Sequence, residues 1–122
     1  MYLNGYQNLR VWQKAMELTV EIYRLVQLLP KKETYALSDQ MRRAVVSVAS
    51  NIAEGQGRIT AREFINFLGF SRGSLKELET QLRICELVGY MTEEEISFAM
   101  KLCDEIGKML STLIKKLRAS SQ

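Results

Sequence analysis

Between Gln40 and Arg58 the chain reads QMRRAVVSVASNIAEGQGR. Met41, Val45, Val48 and Ile52 recur at spacings of four, three and four, which is one face of an α-helix. A second line, Arg43, Ser47, Asn51 and Glu54, runs beside it at spacings of four, four and three, so these side chains also stack. Its middle members are short, where a routine surface helix carries long charges. Short polar side chains beside an apolar stripe predict close approach of a second helix, with specific hydrogen bonds between the two. The stretch ends at Gly55-Gln56-Gly57, where glycine predicts a left-handed cap.

The rest of the chain supplies partner helices. One proline, seven glycines and no alternating apolar runs predict a mostly helical chain. The first helix is expected from about 9 to 29, capped by Asn8 and stopped by Pro30. Tyr2 or Tyr6 is expected to pin the short lead before it. The helix's polar positions fall on one narrow stripe, and its apolar arc is wider than a single bundle core needs. That arc predicts a second buried face against another copy of the chain, with Val11, Trp12, Leu18 and Ile22 as interface residues.

An extra turn is expected around Glu33-Thr34-Tyr35, then a helix over 38–56 capped by Ser38. Thr60 and Glu63 form a capping box for a third helix, 61–88, which stops at Gly89. Gly69 and Gly73 interrupt it four residues apart, which predicts a helix crossing there. Ser74 and Glu77 are placed to meet the polar line of the second helix, and a network of Arg43, Ser47, Asn51, Glu54, Ser74 and Glu77 follows. Thr92 and Glu95 form a second capping box, opening a helix over 93–118. Its seam of Ile96, Ala99, Cys103, Ile106, Leu110, Leu113 and Leu117 keeps spacings of three and four. Four amphipathic helices with short links predict an up-down-up-down antiparallel four-helix bundle, a single domain over 1–122.

The chemistry that is missing narrows the function. There is no histidine, which removes histidine acid–base catalysis, histidine-ligated zinc and the Glu-x-x-His pair of di-iron bundles. No metal site, cofactor or catalytic residue is expected, and the chain is read as a non-enzyme. Cys85 and Cys103 fall at apolar helical positions and are expected to be reduced core residues. No apolar run is long enough to cross a membrane and the start lacks a signal-peptide layout, so the cytoplasm is the expected location. The net charge of +3 lies in the first half of the chain and is weak for a dedicated nucleic-acid binder.

The stretch 40–58, followed by Glu63-Phe64 and by Phe67-Leu68-Gly69-Phe70-Ser71-Arg72-Gly73-Ser74-Leu75-Lys76-Glu77-Leu78-Glu79, resembles the bacterial four-helix-bundle family of the 23S rRNA intervening-sequence protein. Leu9, Val11-Trp12, Ala15 and the loop Pro30, Glu33, Tyr35 and Leu37 are similar as well, so the resemblance covers about 6–116. Asn51-Ile52-Ala53-Glu54-Gly55 and Gly73-Ser74-Leu75 are its most specific parts, and Ala49 departs from it where relatives often carry proline. The resemblance implies a small helical bundle that assembles as a ring-like homopentamer. It extends distantly to the accessory protein of diversity-generating retroelements, and by analogy it implies RNA or DNA as a partner. A pentamer of +3 chains carries about +15, enough for phosphate contacts that share a surface. Arg42, Arg58, Arg62, Arg72, Lys76 and Arg83 are the expected contacts, with Lys115, Lys116 and Arg118 second; Arg43 is expected inside. The alternative is a scaffold that docks a protein partner, because Glu63, Glu79 and Glu86 interleave with those cations.

Overall fold

The computed structural model describes residues 5–120 and holds, among them, four α-helices and no strand. These are α1 (Arg10–Leu25), α2 (Leu37–Gln56), α3 (Ala61–Leu87) and α4 (Glu93–Ser120). Shorter 3₁₀ turns occupy Gly5–Asn8, Val26–Leu28 and Lys31–Glu33. α1 therefore stops short of the expected end and tightens into a 3₁₀ turn before Pro30, a common way for a helix to close. The other three helices start and end within two residues of expectation. Tyr2 lies outside the described residues, whereas Tyr6 packs edge-on against Trp12 with ring centroids 5.2 Å apart.

Helix ends follow the capping chemistry in part. Thr60 Oγ1 accepts the Glu63 N–H at 3.1 Å, and Thr92 and Glu95 cap each other's backbone N–H at 2.9 and 3.0 Å. α3 closes at Gly89, whose φ of 85° only glycine adopts readily. Tyr90 N–H then reaches the Cys85 carbonyl at 2.9 Å and Gly89 N–H the Glu86 carbonyl at 3.1 Å, the paired bonds of a Schellman cap. Three expected caps fail. Asn8 lies in a 3₁₀ turn, and the α1 cap position is Leu9 with no side-chain bond. Ser38 is inside α2 and buried. Gly57 has a φ of −80°, so α2 ends without a left-handed residue.

All four helices share one core, which includes Leu18, Ile22, Met41, Ile52, Leu75, Leu82, Ile106 and Leu110. α2 and α3 meet most intimately. Met41 meets Cys85, Ser47 meets Ser74, Val48 meets Ser71, and Gly55 faces Phe64 and Phe67. Numbers rise along one helix as they fall along the other. Lys14 on α1 reaches Glu105 on α4 at 3.6 Å, which ties those two helices at mid-length.

Small residues bring α2 and α3 together. A Cβ added at Gly55 would lie 2.7 Å from the Phe67 Cβ and 2.9 Å from a Phe64 ring carbon, so only glycine fits. Ser71 is fully buried and donates to the Val48 carbonyl at 2.8 Å. The Ser47 and Ser74 hydroxyls meet at 2.8 Å, and Asn51 Nδ2 donates to both the Ser47 carbonyl and its hydroxyl at 2.9 Å. The expected network is therefore real at Ser47, Asn51 and Ser74, and it gains Ser71. Its three charged members are corrected. Arg43 is exposed and pairs with Asp39, Glu54 is exposed and pairs with Arg58, and Glu77 is exposed with no bond to the seam. Desolvating a charge costs more than a helix-surface hydrogen bond returns, so these groups turn to water.

The crossing expected at Gly69 and Gly73 is also corrected: a Cβ at either position would meet nothing within 4 Å. Both lie away from the α3 core face, and Gly55 makes the close approach instead. Cys85 and Cys103 are free and buried. Burial pushes the Cys85 thiol up to about 11 and Cys103 up to about 12 from 9.0.

Three outcomes follow in urea unfolding. Gly69→Ala and Gly73→Ala each raise stability by up to about 1 kcal/mol, because helix propensity acts without a clash. Gly55→Ala lowers it, since overpacking of about 1–3 kcal/mol outweighs the same propensity gain. Asn51→Leu costs about 1 kcal/mol, whereas Arg43→Ala, Glu54→Ala and Glu77→Ala stay within about 0.5 kcal/mol; equal costs for Asn51→Leu and Glu54→Ala would contradict the seam. The thiols bind their protons more tightly folded than unfolded. Their contribution is thus full below pH 9 and is lost as pH rises toward 11 and 12, a loss that Cys103→Ala should reduce.

Candidate functional site

The six cations expected to meet nucleic acid do not form one patch. Arg42 is half-buried, its Nη2 donating to the Thr34 carbonyl at 3.4 Å. Arg83 is tied to Glu86 at 2.8 Å near the far end of α3, and Lys76 to Glu79 at 3.2 Å. Arg72 and Lys76 share a groove between α3 and α4 with Lys108, Ser111 and Thr112. Arg58 lies in the α2–α3 link and Arg62 in the first turn of α3, and both are exposed. The Arg58 guanidinium lies 4.5 Å from the centre of the Phe67 ring, a cation–π geometry, and also pairs with Glu54 at 3.3 Å.

The fold assembles a different group. Tyr6 and Trp12 share a groove with Ala53 and Glu54, which sets the start of α1 beside the end of α2. Arg10 shares a groove with Lys108 and Lys116, which sets the same start beside the last turns of α4. Arg10, Arg58, Arg62, Lys108, Lys115, Lys116 and Arg118 thereby fall toward one end of the molecule. Arg10, Arg62, Lys115 and Lys116 have no ion-pair partner among the described residues. The sequence does not single out Arg10 and Lys108 because neither sits in a basic run; only the packing of α1 on α4 unites them.

At the opposite end acids and cations mix almost one for one: Glu21, Glu33, Asp39, Glu86 and Glu93 to Glu95 stand among Arg24, Lys31, Lys32, Arg42, Arg43 and Arg83. Glu21 is buried and held by a fork from Arg24, Nε at 2.9 Å and Nη2 at 2.6 Å, and this bond keeps the Arg24 pKa above its ordinary value. Glu95 adds to that effect from α4. Glu33 accepts the Tyr90 hydroxyl at 2.8 Å, which raises the tyrosine pKa. Glu93, Glu94 and Glu95 open α4 beside this corner. The chain is thus electrically polar along its length although its net charge is small.

The expected subunit contacts need correction. Val11, Leu18 and Ile22 are buried within the chain's own core, and Trp12 is half-buried. The outward apolar side chains of α1 are Met16, Val20 and Tyr23, with Val20 71 % exposed. Met16, Thr19, Val46, Ala49 and Ser50 line the α1–α2 groove, whose volume is about 560 Å³. Among the described residues no group of three or more His, Cys, Asp or Glu could hold a metal ion, and no helix is long and apolar enough to cross a membrane.

Comparison with curated proteins found no match. Among solved structures, the chain is similar to the crystal structure of a protein of unknown function from the S23 ribosomal protein family of Bacteroides thetaiotaomicron VPI-5482. The two are 28% identical, with a TM-score of 0.80 over 86% of this chain and 98% of that one. The family model described as 23S rRNA-intervening sequence protein matches residues 7–112, a span that includes the α2–α3 seam and all but the last turns of α4. The chain belongs to the 23S rRNA-intervening sequence protein family.

Proposed function

We propose that the chain is a non-enzymatic, nucleic-acid-binding bundle of antiparallel helices that acts as a homo-oligomer, five-fold as the resemblance implies. The carrying observation is the gathering of Arg10, Arg62, Lys115 and Lys116, none of them in an ion pair among the described residues, toward one end, while charge at the other end nearly balances. Such asymmetry draws a phosphate backbone toward the basic end. The family description, which names an intervening sequence of 23S rRNA, supports RNA as the nucleic acid. The outward apolar strip Met16, Val20, Tyr23 and Val46 supports contact between copies.

A second reading, a scaffold for a protein partner, is favoured by one observation. Lys76 and Arg83 are already neutralised by Glu79 and Glu86, so the middle and far end of α3 offer little free positive charge. Light-scattering mass across a salt series, with and without a structured rRNA fragment, separates the two. The binding reading expects a stable oligomer that takes up RNA at low salt and loses it steeply between about 50 and about 200 mM. Replacing Arg62, Lys115 and Lys116 by alanine should reduce the log–log salt slope by about 0.7–0.9 for each phosphate that is no longer neutralised. An oligomer that ignores RNA, or an affinity indifferent to salt, leaves the scaffold.

A further inference from the structure

A groove of about 370 Å³, open to solvent, lies between the start of α1 and the last turns of α4. Its floor is aliphatic, made by Leu9, Val11, Met109 and Leu113. Arg10, Lys108 and Lys116 stand on its lining with the Thr112 hydroxyl, and no acidic side chain is among the lining residues. Lys108 already holds Asp104 at 3.1 Å, which leaves Arg10 and Lys116 without an ion-pair partner. The first turn of α1 contains no acid either, so its positive macrodipole end adds to the local field.

We propose that this groove binds a free aliphatic carboxylate, with the tail on the Leu9–Leu113 floor and the carboxylate held by Arg10 and Lys116. The size belongs to a small ligand, since pockets of about 300–1,000 Å³ are typical for them and a docked helix needs a longer groove. The charge selects among small ligands. A neutral hydrocarbon leaves the two cations unused, and an inorganic anion leaves the aliphatic floor wet. A nucleobase finds no aromatic side chain to stack on, so although Arg10 and Lys116 also belong to the basic end assigned to phosphate, the aliphatic lining favours a hydrocarbon tail over a base. The inference does not rest on the nucleic-acid reading and is tested without RNA.

The experiment is calorimetric titration of the full chain with hexanoate, octanoate, decanoate and dodecanoate below their micelle-forming concentrations. Expected is saturable binding that tightens about fourfold per added methylene until the floor is covered. Decanol should bind about tenfold more weakly than decanoate, and the Arg10→Glu, Lys116→Glu double variant should weaken decanoate by about tenfold with an unchanged thermal melt. Leu87→Asp, on exposed apolar surface at the C-terminal end of α3, should leave decanoate affinity unchanged. No saturable binding, equal affinity for decanol and decanoate, or an undiminished double variant overturns the proposal. Binding to anionic vesicles without binding of free decanoate also overturns it, and would assign the basic rim to a membrane surface.

Discussion

The approach of α2 to α3 is the constraint on which the rest of the structure depends. Gly55 lets the backbone come within side-chain-free distance of Phe64 and Phe67, and the serines keep the gap narrow further along. Each bond in the seam is modest by itself, about 1 kcal/mol net. Their geometric effect is larger than their energy. A hydroxyl pair and a serine-to-carbonyl bond are directional, so they favour this register, in which Ser71 crosses to α2 and does not turn back to its own helix. Apolar burial alone carries no such direction.

Much of this is legible in the sequence, for a physical reason. Periodicity and capping are local, so helix identity and most boundaries follow from residues a few positions apart; Thr60 with Glu63, Thr92 with Glu95 and Gly89 each mark an end by chemistry that stays within one turn. Orientation across helices is not local. Arg43 and Glu54 fall on the same line as Ser47 and Asn51, yet the long side chains swing to water and the short ones stay in the seam. Gly69 and Gly73 show the same limit from the other side, because spacing alone does not say that they point into open space. Val11, Leu18 and Ile22 fit an interface by pattern and lie in the core in space, because a wide apolar arc shows that two faces exist without showing which residue serves which.

The charge pattern is the least legible part. Summed along the sequence, the cations and acids nearly cancel, and Arg10 and Lys116 stand far apart in number. Folding gathers part of them, since the start of α1, the α2–α3 link and the last turns of α4 share an end, while at the other Glu21, Glu33 and Glu95 stand among Arg24, Lys31, Lys32 and Arg42. A weakly charged chain thus acquires a directed field, which matters more to a polyanion than net charge does.

The seam and the field are linked. Arg58 leaves the end of α2 and rests on Phe67 of α3, so its position depends on the register that Gly55, Ser47 and Ser74 impose. One turn of slip, about 5.4 Å, would carry the guanidinium off the ring and shift the α2–α3 link relative to Arg10 and Lys116. A bundle held only by interchangeable apolar contacts would spread these cations over several arrangements and blur the field they make together. Short hydrogen-bonded side chains between α2 and α3 therefore do more than stabilise a helix pair: they fix where the charged end of the molecule presents its arginines and lysines.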